Sequence, residues 1–149
     1  HKLLTFDPRG QTIEISSSAG VLFSHLLGSG SAAGPGGTVT PFDVTVALMS
    51  SGADNDATGH ADYKRDVNGT LSFEVEVEDL AVGSYDLLVG GTVRGSIAVA
   101  TASHGTRGKL KFESELKPGQ QLLNFAVAGQ EVIIQQGSTV FFTRTMPTP

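Results

Sequence analysis

Leu71-Ser72-Phe73-Glu74-Val75-Glu76-Val77-Glu78 is the stretch on which the fold turns. Leu71, Phe73, Val75 and Val77 fall on one side of an extended chain, and Glu74, Glu76 and Glu78 fall on the other. This period of two predicts a strand with one face in a core and one in water. Just before it, Asn68-Gly69 is a two-residue hairpin signal, because both residue types tolerate positive φ. Upstream, Thr58 to Lys64 sets Ala61 and Tyr63 opposite His60, Asp62 and Lys64, and Phe42 to Leu48 alternates in the same way. Downstream, strands are expected at Tyr85–Val89, Val93–Val99, Lys109–Glu115, Gln121–Val127, Glu131–Gln135 and Thr139–Thr143, punctuated by Gly90-Gly91 and by Gly105 to Gly108. No segment of ten or more residues shows a clean helical period. About nine short strands predict an all-β body, an antiparallel β-sandwich of immunoglobulin-like or jelly-roll-like type.

The two ends of the chain repeat one another. Leu3-Leu4-Thr5-Phe6 through Gly10-Gln11, Ile15, Val21 and Phe23 returns as Leu122-Leu123-Asn124-Phe125 through Gly129-Gln130, Ile134, Val140 and Phe142, at an offset of 119 and without a gap. Across Leu3 to Ser24, 8 of 22 positions are identical, and Ile13/Val132, Leu22/Phe141 and Ser24/Thr143 are conservative. The 149 residues therefore hold one repeat unit and the tail of another. Three zones follow: an N-terminal β-hairpin arm at 1–27, a linker at 28–41 and the body at 42–146. The linker runs Gly28-Ser29-Gly30-Ser31-Ala32-Ala33-Gly34-Pro35-Gly36-Gly37-Thr38-Val39-Thr40-Pro41. Extended, it reaches roughly 46 Å, enough to set the arm on a neighbour or to fold it back. Within the arm, Asp7-Pro8-Arg9-Gly10 matches a type I turn, and the second copy keeps only its glycine.

Composition narrows the function classes. A hydrophobic fraction of 39% and 19 Gly suit short strands and many turns. A net charge of −5 argues against nucleic acid as a partner. No apolar run approaches the roughly 20 residues of a membrane-spanning helix. The absence of Cys leaves the redox compartment open, and His1 in place of Met fits a cleaved precursor and an artificially trimmed chain equally well; an extracellular or cell-surface location is the expectation.

Leu80-Ala81-Val82-Gly83-Ser84-Tyr85, followed by Asp86-Leu87-Leu88-Val89, resembles a phrase of bacterial surface β-sandwich modules of the prealbumin-like and Cna-B-like kinds. Their version usually has Pro where Val82 stands. The resemblance implies an extracellular scaffold or stalk module and carries no catalytic residue.

Each candidate site in the sequence also has a plainer role. His1, with His25, His60 or His104, offers nitrogen ligands of the kind Cu(II) takes, but four scattered histidines are more often ordinary surface residues. Asp54, Asn55 and Asp56 resemble a carboxylate-rich calcium loop, so the expectation is no cofactor or, failing that, calcium. They lack the full EF-hand order, and a polar turn is the simpler account. Asn68-Gly69-Thr70 is a formal N-glycosylation sequon at a hairpin tip. Glu74, Glu76 and Glu78 are expected to pair across strands with Lys109 and Lys111 rather than to hydrolyse a sugar, there being no Trp to stack one. No Ser-His-Asp order, Cys nucleophile or phosphate loop is recognisable, so no enzymatic activity is expected.

Two functions remain open. In the first, the chain is a structural subunit of an extracellular filament or surface assembly. Its arm, through Leu3, Leu4, Phe6, Ile13, Ile15, Val21, Leu22 and Phe23, enters a neighbouring copy and links subunits head to tail. In the second, it is a carbohydrate- or calcium-binding module from a tandem-repeat surface protein.

Overall fold

The structure is a computed structural model that describes residues 12–17 and 20–26 as strands and residues 39–115 and 121–149 with their side chains. The chain divides into two units, His1–Thr38 and Val39–Pro149. In the first, β1 (Thr12–Ser17) and β2 (Gly20–Leu26) pair antiparallel as a two-stranded sheet. Leu3, Leu4 and Phe6, the Asp7–Gly10 turn, His1 and linker residues 28–38 lie outside the described residues.

The second unit is all β. Its strands are β3 (Phe42–Ala47), β4 (Met49–Ser50), β5 (Thr58–Arg65), β6 (Leu71–Glu78), β7 (Gly83–Val89), β8 (Thr92–Thr101), β9 (Thr106–Glu113), β10 (Gln121–Leu122), β11 (Glu131–Gln136) and β12 (Thr139–Thr145). Among the described residues there is no helix. The strands form one sheet in the order β3-β5-β6-β9-β8-β7-β11-β12-β4, antiparallel throughout that path. β10 adds to β9 in parallel.

The first and last strands of that path, β3 and β4, are consecutive pieces of one chain parted only by Leu48. The Leu48 N–H still donates to the Gly59 carbonyl at 2.9 Å, on the β5 side, while Ser51 N–H donates to the Phe141 carbonyl at 2.9 Å, on the β12 side. At Leu48 the chain crosses from one end of the sheet to the other, so the sheet nearly closes on itself as a barrel. One nearly closed sheet stands where the sequence reading expected the two sheets of a sandwich. The alternating pattern is the same for both, because each buries one face of every strand.

The inward faces make a continuous core. Phe73, Val75 and Val77 of β6 are fully buried, as are Ala61 of β5, Leu87 and Val89 of β7, Ile97 of β8 and Ile134 of β11. Phe73 lies against Phe112 with centroids 6.2 Å apart, and Phe125 meets both edge-on at 6.3 and 5.1 Å. Phe125 comes from a stretch expected to be a strand over Gln121–Val127. Only Gln121 and Leu122 are strand; Leu123, Phe125 and Val127 turn in to pack on the core instead.

The turns follow local chemistry, with one departure. Gly90 and Gly91, at φ of 61° and 73°, make the two-residue loop of a type I′ hairpin between β7 and β8. At Asn68-Gly69 only Gly69 has positive φ, 91°. Gly69 N–H donates to the Asp66 carbonyl at 3.1 Å and Asp66 N–H to the Thr70 carbonyl at 3.0 Å, giving a three-residue loop. The Asp66 carboxylate decides this by accepting the N–H groups of Asn68 and Thr70 at 2.8 and 2.9 Å.

Candidate assembly site

Between β7 and β4 the barrel is filled by one hairpin, β11–β12. Val132 and Ile134 stand opposite Val89 and Leu87 of β7, and Phe142 and Thr143 stand opposite Ser50 and Met49 of β4. Val132, Ile134 and Phe142 are buried. The pairing slips between Ile134 and Gln135, whose partners are Phe142 and Val140, so Phe141 is an extra residue in β12. A bulge of this kind breaks strict alternation and lets two successive side chains face one way. Phe142 is in the core, and Phe141 meets the buried Tyr85 edge-on with centroids 5.2 Å apart. Tyr85 donates its hydroxyl to the Ala81 carbonyl at 2.9 Å, fixing the ring that Phe141 packs against. The run Val140-Phe141-Phe142, which fits no simple period, is explained by this bulge.

β1–β2 reproduces the hairpin position for position. Shifted by 119, Thr12–Ser17 falls on Glu131–Gln136, and Gly20–Leu26 falls on Thr139–Thr145. The registers match, with Thr12 opposite Leu26 as Glu131 is opposite Thr145, and Ser17 opposite Gly20 as Gln136 is opposite Thr139. The slip falls at the same place, between Ile15 and Ser16, and leaves Leu22 as the extra residue where the second copy has Phe141. Of the expected arm residues, Ile13, Ile15, Val21, Leu22 and Phe23 thus lie in β1 and β2, at the positions of Val132, Ile134, Val140, Phe141 and Phe142. Alignment carries Leu3, Leu4 and Phe6 to Leu122, Leu123 and Phe125. There Leu122 is exposed, while Leu123 and Phe125 pack on the core.

The outer face of β3, β5, β6 and β9 is a ladder of charges. The Lys109 ammonium is 2.7 Å from Glu74 and 3.9 Å from Glu76. Arg107 pairs with Glu76 and stands 3.6 Å from Glu78; Lys64 is 2.5 Å from Asp43, and Lys111 is 2.8 Å from Glu113. Lys109 makes the cross-strand pairs that the alternation predicts, whereas Lys111, expected to reach a β6 glutamate, pairs with Glu113 of its own strand, and Arg107 takes the other place beside Glu76. Glu76, although it points outward, is buried beneath the basic side chains. The hydrogen bond that Lys109 donates to Glu74 holds its pKa above the usual value, and the one that Lys64 donates to Asp43 does the same for Lys64. Each of Glu74, Glu76 and Glu78 has a basic partner on β9.

The remaining candidates are spread apart. Asp54, Asn55 and Asp56 lie in the turn after β4, where the Asp54 side chain accepts the Asp56 N–H at 3.2 Å and Ser50 donates to the Asp54 carbonyl at 3.3 Å. Among the described residues no group of three or more His, Cys, Asp or Glu is placed to hold a metal. Asn68 is exposed at its loop tip. His60 sits 3.5 Å from Asp62, and His104 lies on the turn between β8 and β9.

A cavity of about 320 Å³, not foreshadowed by the sequence, is lined by Phe42, Tyr63, Arg65, Ala128 and Thr148 among others. The Phe42 and Tyr63 rings are 5.0 Å apart, and the Arg65 guanidinium lies 5.0 Å over Phe42. Alternation gave no sign of it, because it forms where the start of β3 meets the chain after β12. Compared with known proteins, no family model matches the chain, and no curated protein matches it either.

Proposed function

We propose that this chain is a non-enzymatic structural subunit of an extracellular filament or surface assembly. Subunits join head to tail when the β1–β2 arm of one is donated to the next. The observation that carries the reading is the register-for-register duplication of β11–β12 by β1–β2, bulge included. An isolated two-stranded hairpin is marginal in water, so a second copy of a barrel-closing hairpin calls for a second place to be buried. The Gly/Ser/Pro linker supplies the reach. In this reading the body is a flattened barrel, with β3-β5-β6-β9 and β8-β7-β11-β12 facing each other as the layers of a sandwich do.

A second reading, a ligand-binding module from a tandem-repeat surface protein, draws support from the cavity beside Phe42, Tyr63 and Arg65, whose volume is at the lower end of the range for small-molecule sites. Its aromatic rings and guanidinium suit a carbohydrate bearing a carboxylate better than they suit calcium.

Negative-stain electron microscopy of the chain beside a version lacking residues 1–27 tests the first reading. Filaments with the arm and discrete particles without it are expected. Discrete monomers in both would eliminate arm donation and leave the cavity as the lead.

A further inference from the structure

Resting on the arm-donation reading, we infer that β1–β2 docks in one particular place, the gap between β7 and β4 of a second copy, where it competes with that copy's own β11–β12. A strand-addition site elsewhere on the barrel would ask only for an alternating strand. The arm instead carries every special feature of the resident hairpin: the two-residue spacing between strands, the slip after the fourth residue of the first strand, and an extra large apolar residue, Leu22 for Phe141. In the resident hairpin the extra residue packs on the Tyr85 ring, which Phe141 meets at 5.2 Å, and Leu22 would take that place. A bulge at that point also sets which residues face inward, because a slip of one residue turns a whole strand over. In the gap, Ile13 and Ile15 would take the buried places of Val132 and Ile134, and Phe23 that of Phe142.

Exchange of like for like loses and gains the same kinds of contact, so it changes the free energy little. The resident hairpin wins in an isolated chain because it is tethered beside its own gap at high effective concentration. The balance between them then acts as a control on assembly. Weakening β11–β12 promotes linkage through the arm, where a purely structural hairpin would only unfold.

The chain has no cysteine, so an introduced pair is unique. Ile133 stands opposite Leu88, and Glu14 holds the register position of Ile133 in the arm. A Glu14→Cys, Leu88→Cys chain should therefore form a disulfide between two molecules, seen as a covalent dimer and higher ladder on a non-reducing gel. Ile13→Cys with Leu88→Cys, one residue out and on the opposite face, should not. Adding Phe142→Ala should shift the exchange toward the arm by on the order of 100-fold. Adding Phe23→Ala as well should reverse that gain, which separates exchange from mere unfolding. A disulfide formed within single chains overturns the second copy as the taker. Arm-dependent filaments with no Glu14–Leu88 link overturn this docking place while arm donation stands. No arm-dependent association, with or without Phe142→Ala, removes both.

Discussion

Tyr85 shows how much one residue organises. Its ring is buried, its hydroxyl is tied to the Ala81 carbonyl, and Phe141 packs edge-on against it. Tyr85→Phe keeps the ring and loses the bond, and should cost about 1 kcal/mol in urea unfolding. Gly108 is the opposite case. A methyl group there would come within 2.7 Å of both Ile97 Cγ2 and Val99 Cγ2 and within 3.1 Å of the Ala98 carbonyl. Gly108→Ala should destabilise by about 1–3 kcal/mol, measured in the same way, because β8 and β9 cannot part without breaking their ladder. Neither constraint can be read from a single sequence. The glycine looks like turn punctuation, yet it lies inside β9 and is required by a neighbouring strand.

At the scale of elements, β6 and β9 were the most legible pair. Alternation assigned both faces of β6, and the opposite charge of β9 named Lys109 as an outer partner, but it missed Arg107 and gave Lys111 a β6 partner where the structure gives it Glu113. The ladder also sets an alkaline limit. Hydrogen bonds donated to Glu74 and Asp43 raise the pKa values of Lys109 and Lys64, and burial raises that of Tyr85. A group whose folded pKa lies above its unfolded one gives its full contribution below the unfolded value and loses it as pH rises through the folded value. All three therefore act in one direction, above about pH 10. Melting followed by circular dichroism should hold steady from neutral pH to about 10 and then fall, and Glu74→Gln should soften that fall. The hairpin loops give a second test. Gly90 and Gly91 are both left-handed, so replacing both with Ala should cost about 2 kcal/mol in chemical denaturation. At Asn68 the expected two-residue turn gave way to a longer one because the Asp66 carboxylate captured two nearby N–H groups, a competition that a dipeptide signal does not contain.

For the molecule as a whole, the division into His1–Thr38 and Val39–Pro149 bears on the arm. Removing residues 1–27 should leave the thermal transition of the barrel within about 1 °C, while Phe73→Ala, in the middle of the core, should lower its stability by about 3–5 kcal/mol. A large fall in melting temperature on arm removal would show that the arm is part of its own body's core, against the donated-arm reading.

The sequence by itself determined that the body is β, which face of β6 is wet, and that one hairpin occurs twice. These are local facts, written in side-chain period and in repetition. Only the tertiary structure decided that the strands form one nearly closed sheet, since that rests on the chain crossing between the sheet's ends at Leu48, and alternation is blind to which strands are neighbours. Tertiary contact likewise turned Leu123, Phe125 and Val127 from an expected strand into part of the core, because Phe73 and Phe112 offered their rings a better burial than a ladder would. It also gave the run Val140-Phe141-Phe142 its reason, a bulge aimed at Tyr85, and with it the pattern that the arm shares.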